Sequence, residues 1–179
     1  MILRRFRPRS QNHSIGDLYG AIVAQARRPG FYRDYGVPDT VPGRFDLIVL
    51  HLVLVLERLG RDGIGQELFD VFCRDLDANL REMGVGDLAV PKRMREFGEA
   101  FYGRQAVYRQ ALASAGGREL EKVLRRNIFA DAGGDPNAAR LAAYARATLR
   151  ELAGQEDSAL LRGEVVFPEP ESIAEVFHG

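Results

Sequence analysis

Residues 45–59 read FDLIVLHLVLVLERL, the longest apolar run in the chain, and His51 is the one polar residue between Leu47 and Leu56. A helix on the surface of a globular protein needs a single apolar stripe. This run is apolar on nearly every side, which suits an element enclosed by neighbours or a membrane span. Length excludes the span. Leu47 to Leu56 is ten residues with charges flanking both ends, whereas crossing a bilayer takes about 20 apolar residues. The β-branched residues would also suit a buried strand, but the run is long for one and no second strong strand is present to pair with it. The chain is therefore expected to be all-α, a single domain of about six helices packed around this central buried helix.

Upstream of it, Ser14 stands three residues before Asp17 in a variant of the capping box, and Ile15, Leu18, Tyr19, Ile22, Val23 and Ala26 follow at helical spacing. Pro29-Gly30 closes that helix. The connector 31–43, FYRDYGVPDTVPG, is too rich in glycine and proline for a helix, and its aromatics predict a loop pinned to the core.

Downstream, a turn at residues 62–65 leads into an amphipathic helix from Gln66 to Met83, with Phe69, Phe72, Leu76, Leu80 and Met83 as its buried stripe. Asp70–Arg74 and Asp77–Arg81 are spaced for i, i+4 ion pairs on its outer side. Gly84-Val85-Gly86-Asp87 is a tight loop without the full glycine fingerprint of a nucleotide site. Pro91 then opens a long helix to about Ala115. Lys92, Arg93 and Arg95 crowd its start, the unfavourable end of the helix dipole for cations. Gly98 and Gly103 interrupt its interior, where close approach of a second helix is the expected reason. Two further helices are expected, Arg118 to Phe129 and, with Asp135 as N-cap and Pro136 in the first turn, 136 to about 154.

Three segments result: a flexible basic arm at 1–13, the helical domain at 14–154, and an acidic, partly irregular tail at 155–179. The arm carries Arg4, Arg5, Arg7 and Arg9, and either stays solvated or meets anionic lipid or ribosomal RNA. The tail lies in a groove or is partly free. The whole chain balances 25 basic against 25 acidic residues, which argues against a general pull toward nucleic acid, and no DNA contact is expected. One cysteine, Cys73, excludes an internal disulfide and paired-thiolate metal sites. The basic start runs into polar residues rather than an apolar signal segment, so a cytoplasmic protein is expected, at most peripheral at the cytosolic face of the inner membrane.

No enzyme signature is present. Two of the three histidines, His13 and His178, fall in the expected tails, so no metal cluster forms and no cofactor is expected. His51 must find a partner inside the core, or else serve a ligand or a proton. The serines lie in caps, loops and tails, and Cys73 sits mid-helix. What remains is surface character. Residues 90–112, VPKRMREFGEAFYGRQAVYRQAL, interleave cations with aromatics, as protein interfaces do. Lys92, Arg93, Arg95, Phe101, Tyr102, Arg104 and Tyr108 are the residues expected to meet a client or partner.

The segments 31–59 and 65–112 resemble the ubiquinol–cytochrome c chaperone family of alphaproteobacteria and mitochondria. The resemblance runs from about Leu18 to Phe129. It rests on Phe45-x5-His51, Gln66-Glu67-Leu68-Phe69, the block LREMGVGDLAVPKRM from Leu80 to Met94, and FYGR at 101–104 with Tyr108. It implies a non-catalytic assembly factor that binds newly made cytochrome b, or another subunit of the reductase, with a small partner protein in the mitochondrial case. The absence of a long presequence fits a bacterial source. The hypothesis that follows is an apolar groove rimmed by Lys92, Arg93, Arg95 and Arg104, with the acidic tail meeting basic loops of the client. Two other classes stay open: a helical protein holding a quinone, haem or lipid beside His51, and a ribosome- or RNA-binding adaptor working through the basic arm.

Overall fold

The computed structural model describes residues 9–60, 63–114, 118–130 and 136–175. Among them there are nine helices and no strand: α1 Arg9–Ala26, α2 Pro29–Arg33, α3 Val41–Leu59, α4 Gly63–Glu82, α5 Val90–Ala113, α6 Arg118–Ile128, α7 Pro136–Ala153, α8 Asp157–Leu161 and α9 Pro170–Glu175. Six of them are long, as expected. The three short ones occupy the connector and the C-terminal segment.

The central helix α3 is set by its ends. Thr40 is extended and its hydroxyl accepts from the Gly43 amide at 3.2 Å, with a proline in the first turn. Gly43 has to be glycine, because a Cβ there would run into the Pro38 carbonyl oxygen. Gly60, at φ +76°, ends the helix with its amide bonded to Leu56 O. Between these caps Leu47, Val49, Leu50 and Leu52 to Val55 are fully buried. The wrapping that the sequence demands is supplied by α1, α4, α5, α6 and α7, all of which pack on α3. Phe31 and Tyr35 pin the connector into the core as expected, although its first residues form the short helix α2.

His51 is buried and both ring nitrogens are satisfied. Nδ1 lies 2.8 Å from Leu47 O and Nε2 lies 3.0 Å from Tyr144 Oη. A carbonyl only accepts, so Nδ1 carries the proton and Nε2 accepts from the tyrosine hydroxyl. That hydroxyl in turn accepts from Gln25 Nε2 at 2.9 Å, and the same amide donates to Pro168 O at 3.0 Å. The chain of bonds links α3, α7 and α1 to the C-terminal segment. Phe31, Tyr144 and Phe167 close around the imidazole with ring centroids 5.3, 5.6 and 5.8 Å away.

The C-terminal segment is consequently docked. Tyr35 donates to Pro170 O at 2.7 Å, and the Gln155 side chain pairs with both the N–H and the C=O of Val166. Gly163, at φ +78°, lies against the backbone of Asp17 and Leu18, where a Cβ would come within 3.0 Å. Within the tail, two short helices, α8 and α9, are joined by irregular chain. Several of its carboxylates pair with the chain's own arginines: Glu169 and Glu171 with Arg28, Asp157 with Arg58, Glu164 with Arg162.

Other expectations need correcting. Helix α1 begins at Arg9, so Ser14 is inside it and is not its cap; Arg4, Arg5 and Arg7 lie outside the described residues. Helix α4 begins at Gly63, within the expected turn. Asp77–Arg81 pair at 2.7 Å, but Asp70 accepts from Gln66 instead. A Cβ at Gly98 or Gly103 would meet nothing within 4 Å, so no helix approaches either glycine. Asp135, Val176, Phe177 and His178 lie outside the described residues.

Replacing Tyr144 by Phe removes the donor to His51 Nε2 and the acceptor of Gln25, leaving both groups buried. The expected cost is about 1–3 kcal/mol, measured as a fall in the urea midpoint, with faster proteolysis around residue 168. An unchanged midpoint would contradict this role.

Candidate binding groove

At the end of the bundle where α3 begins, its neighbours do not close over it. Val41, Phe45 and Ile48 recur at i, i+4 and i+7, on one side of α3. They face Leu76 and Leu80 of α4 and Met83 just past its end across a groove of about 250 Å³, with Tyr19 of α1, Arg27 just after α1 and Phe97 of α5 completing its walls. Ile48 is only half-buried, although Leu47, Val49 and Leu50 beside it are buried. At the lips Val41 is 64% exposed and Met83 66% exposed. Met83 was expected in the core; α4 instead ends at Glu82 and leaves it in water. On the α4–α5 turn Leu88 is 99% exposed. Covering large apolar side chains of this kind yields about 1.5–3 kcal/mol each.

The floor of the groove is braced from behind. Phe45 packs on Phe97 and Phe72 with centroids at 4.9 and 6.1 Å. The Arg104 guanidinium lies over the Phe45 ring at 5.8 Å, and its Nη2 is 2.8 Å from Asp46 Oδ1. Asp46 is buried. Burial pushes its pKa up to about 6, against the opposing pull of Arg104. No well-aligned hydrogen bond reaches that oxygen, so the contact with Arg104 is a charge contact that only partly offsets desolvation.

The residues singled out in the sequence divide among several places. Lys92, Arg93 and Arg95 are exposed on the first turns of α5, and Arg93 pairs with Glu96 at 3.1 Å. Arg104 is the brace just described. Phe101 and Tyr108 are buried in the packing of α5 against its neighbours and offer no surface to a client. Tyr102, 54% exposed, belongs to another depression, walled by Gly60, Gly63, Gln66 and Arg109. His51 is a core residue whose nitrogens are both occupied, which leaves none for a haem iron. Sequence reasoning missed Val41, Ile48 and Leu88. The usable signal was Leu88, an apolar residue placed in a glycine-rich turn.

The family model described as ubiquinol–cytochrome C chaperone matches residues 33–167, which contain the α3, α4 and α5 walls of the groove. The chain belongs to this family. The crystal structure of the Cbp3 homologue from Brucella abortus superposes with a TM-score of 0.81 at 37% sequence identity, covering 96% of this chain and 98% of that one. Among curated proteins none matches the chain. The protein is thus an assembly chaperone for ubiquinol–cytochrome c reductase and not an enzyme. No helix of this chaperone, among the described residues, is long and apolar enough to cross a membrane.

Two buried groups of the chaperone act oppositely on its stability in acid. Burial lowers the His51 pKa from 6.5 to about 4. The unfolded chain therefore takes up the proton first, and the neutral ring contributes stability above pH 6.5 that is lost as the pH falls toward 4, about 3 kcal/mol in all. Asp46 is raised from 3.8 to about 6, so ionising it in the folded state removes stability as the pH rises through that window. The two slopes oppose each other. Asp46→Asn deletes one of them, and the variant's urea midpoint should climb more steeply than wild type between pH 4 and 6.5. Parallel profiles would contradict the assignment.

Proposed function

We propose that this chaperone holds an apolar segment of newly made cytochrome b in the groove between α3 and α4, at the cytosolic face of the membrane. One observation carries the reading: an open apolar groove whose lips, Val41 and Met83, are about two-thirds exposed. A stable monomer has no use for such a surface, and exposed apolar patches mark interaction sites. Membership of a family of reductase chaperones directs attention to a subunit of that complex, and a membrane-embedded subunit offers apolar segments before it inserts. Lys92, Arg93 and Arg95, exposed on the first turns of α5, then meet the client or anionic headgroups, and Arg104 acts through Phe45. Arg4, Arg5, Arg7 and Arg9 add a weak attraction to a ribosome or an anionic membrane surface. A small partner protein, as in the mitochondrial relatives, has the depression beside Tyr102 available to it.

A photocrosslinking residue placed at Met83 or Leu88 should capture cytochrome b in pulse-labelled cells, and one at Lys122, on the exposed side of α6, should not. Met83→Asp with Val41→Asp should lower capture and reductase assembly at least about tenfold, because burying an unpaired carboxylate in the occupied groove is strongly unfavourable. The thermal midpoint should change little, since both side chains already face water. Crosslinks without any reductase subunit would overturn the proposal.

A further inference from the structure

Cations are gathered on one flank of the groove. Arg27 and Arg44 line the apolar groove and also a second depression of about 530 Å³, which Arg33 and Tyr32 help to enclose, so the two cavities adjoin across the pair of arginines. Arg27 is exposed and makes no ion pair among the described residues. Arg44 pairs with Asp39 at 2.7 Å, but both side chains are more than half exposed. Such a surface pair is worth about 0–1 kcal/mol and exchanges readily for a better partner. The carboxylate on the groove wall, Asp75, is already occupied, accepting from Tyr19 Oη at 2.8 Å. A ligand entering the groove therefore finds apolar walls along Ile48, Leu76, Met83 and Phe97, and two guanidinium groups at one flank.

We infer that the groove selects an apolar client segment carrying an Asp or Glu side chain next to its apolar stretch, set against Arg27 and Arg44. This rests on the groove reading above and adds polarity to it. Apolar contact supplies affinity without direction. The arginines supply register and discriminate against segments flanked there by Lys or Arg, since like charges brought together at an interface are penalised. Guanidinium groups suit this task because their donors match a carboxylate in a fixed geometry.

The test uses the purified full chain and fluorescence anisotropy. The probes are labelled, C-terminally amidated helical peptides with one shared apolar stretch, followed on one side by two Asp, two Asn or two Lys. Amidation removes the terminal carboxylate as a source of charge. The Asp peptide should bind about tenfold tighter than the Asn peptide and the Lys peptide weakest, with the spread shrinking at about 0.5 M salt. Arg27→Glu with Arg44→Glu should reverse the order in favour of Lys. Arg27→Glu alone, at an exposed residue without an ion pair among the described residues, should narrow it and keeps the test valid if the double variant misfolds. Equal binding of all three peptides, or an order unchanged by the variants, overturns the inference while leaving the groove reading intact so long as Met83→Asp abolishes binding. No peptide binding at all, or binding indifferent to Met83→Asp, sinks the groove reading itself. Arginine-dependent binding of dodecyl phosphate with none for any peptide assigns the cavity to an anionic lipid and overturns the inference as well.

Discussion

A helix that is apolar on every side cannot stand at a surface, and its one polar side chain cannot be left unpaired. Those two demands of α3 organise the molecule. Burial of Leu47 and of Val49 to Val55 requires helices all around, and His51 requires an acceptor and a donor inside them. Leu47 O supplies the first from the preceding turn. Tyr144 supplies the second from nearly a hundred residues away, and Gln25 extends the same chain of bonds to Pro168. A single buried imidazole thereby ties the first long helix, the last long helix and the C-terminal segment to the hub. An unmet hydrogen bond at any link would strand polar groups in a medium where nothing else can satisfy them.

The groove exists because that enclosure stops short. Along most of α3 the neighbours meet. Near its start, α1, α4 and α5 leave Val41, Phe45 and Ile48 uncovered. The walls there are still rigid: Phe45 is held by Phe72, Phe97 and the Arg104 guanidinium, and Arg104 is anchored on buried Asp46. A chaperone of reductase subunits gains from this division, with a well-satisfied core and a small apolar surface flanked by charge. The flanking cations limit self-association, which a wider bare patch would invite.

Much of this was legible beforehand. The buried hub, the six long helices and the pinned connector follow from periodicity, caps and aromatic placement, all of which are properties of neighbouring residues. Family membership was legible for a similar reason, since short blocks such as Gln66 to Phe69 and Leu80 to Met94 survive as strings. The candidate site was read only in part. Lys92, Arg93 and Arg95 do stand exposed, but Phe101 and Tyr108 are turned inward and serve the core. Met83 keeps the helical register of Leu80 and Leu76, yet it sits in water while Leu80 is buried. Gly98 and Gly103 looked like contact points and face open space; nothing in the fold explains them.

By itself the sequence determined the all-α class, the buried helix, the need of His51 for partners, and the family. These are set by local spacing and by the cost of burying polar groups, which hold whatever the neighbours are. Only the tertiary structure decided which side of each helix stays bare, that His51 is satisfied by Tyr144, and that the acidic tail is bound to the protein's own arginines. Exposure depends on how far one helix extends along another. No pattern within residues 66–83 states where α1, α3 and α5 stop covering α4, and that stopping point is what leaves Met83, just past the end of α4, exposed at the lip of the apolar groove.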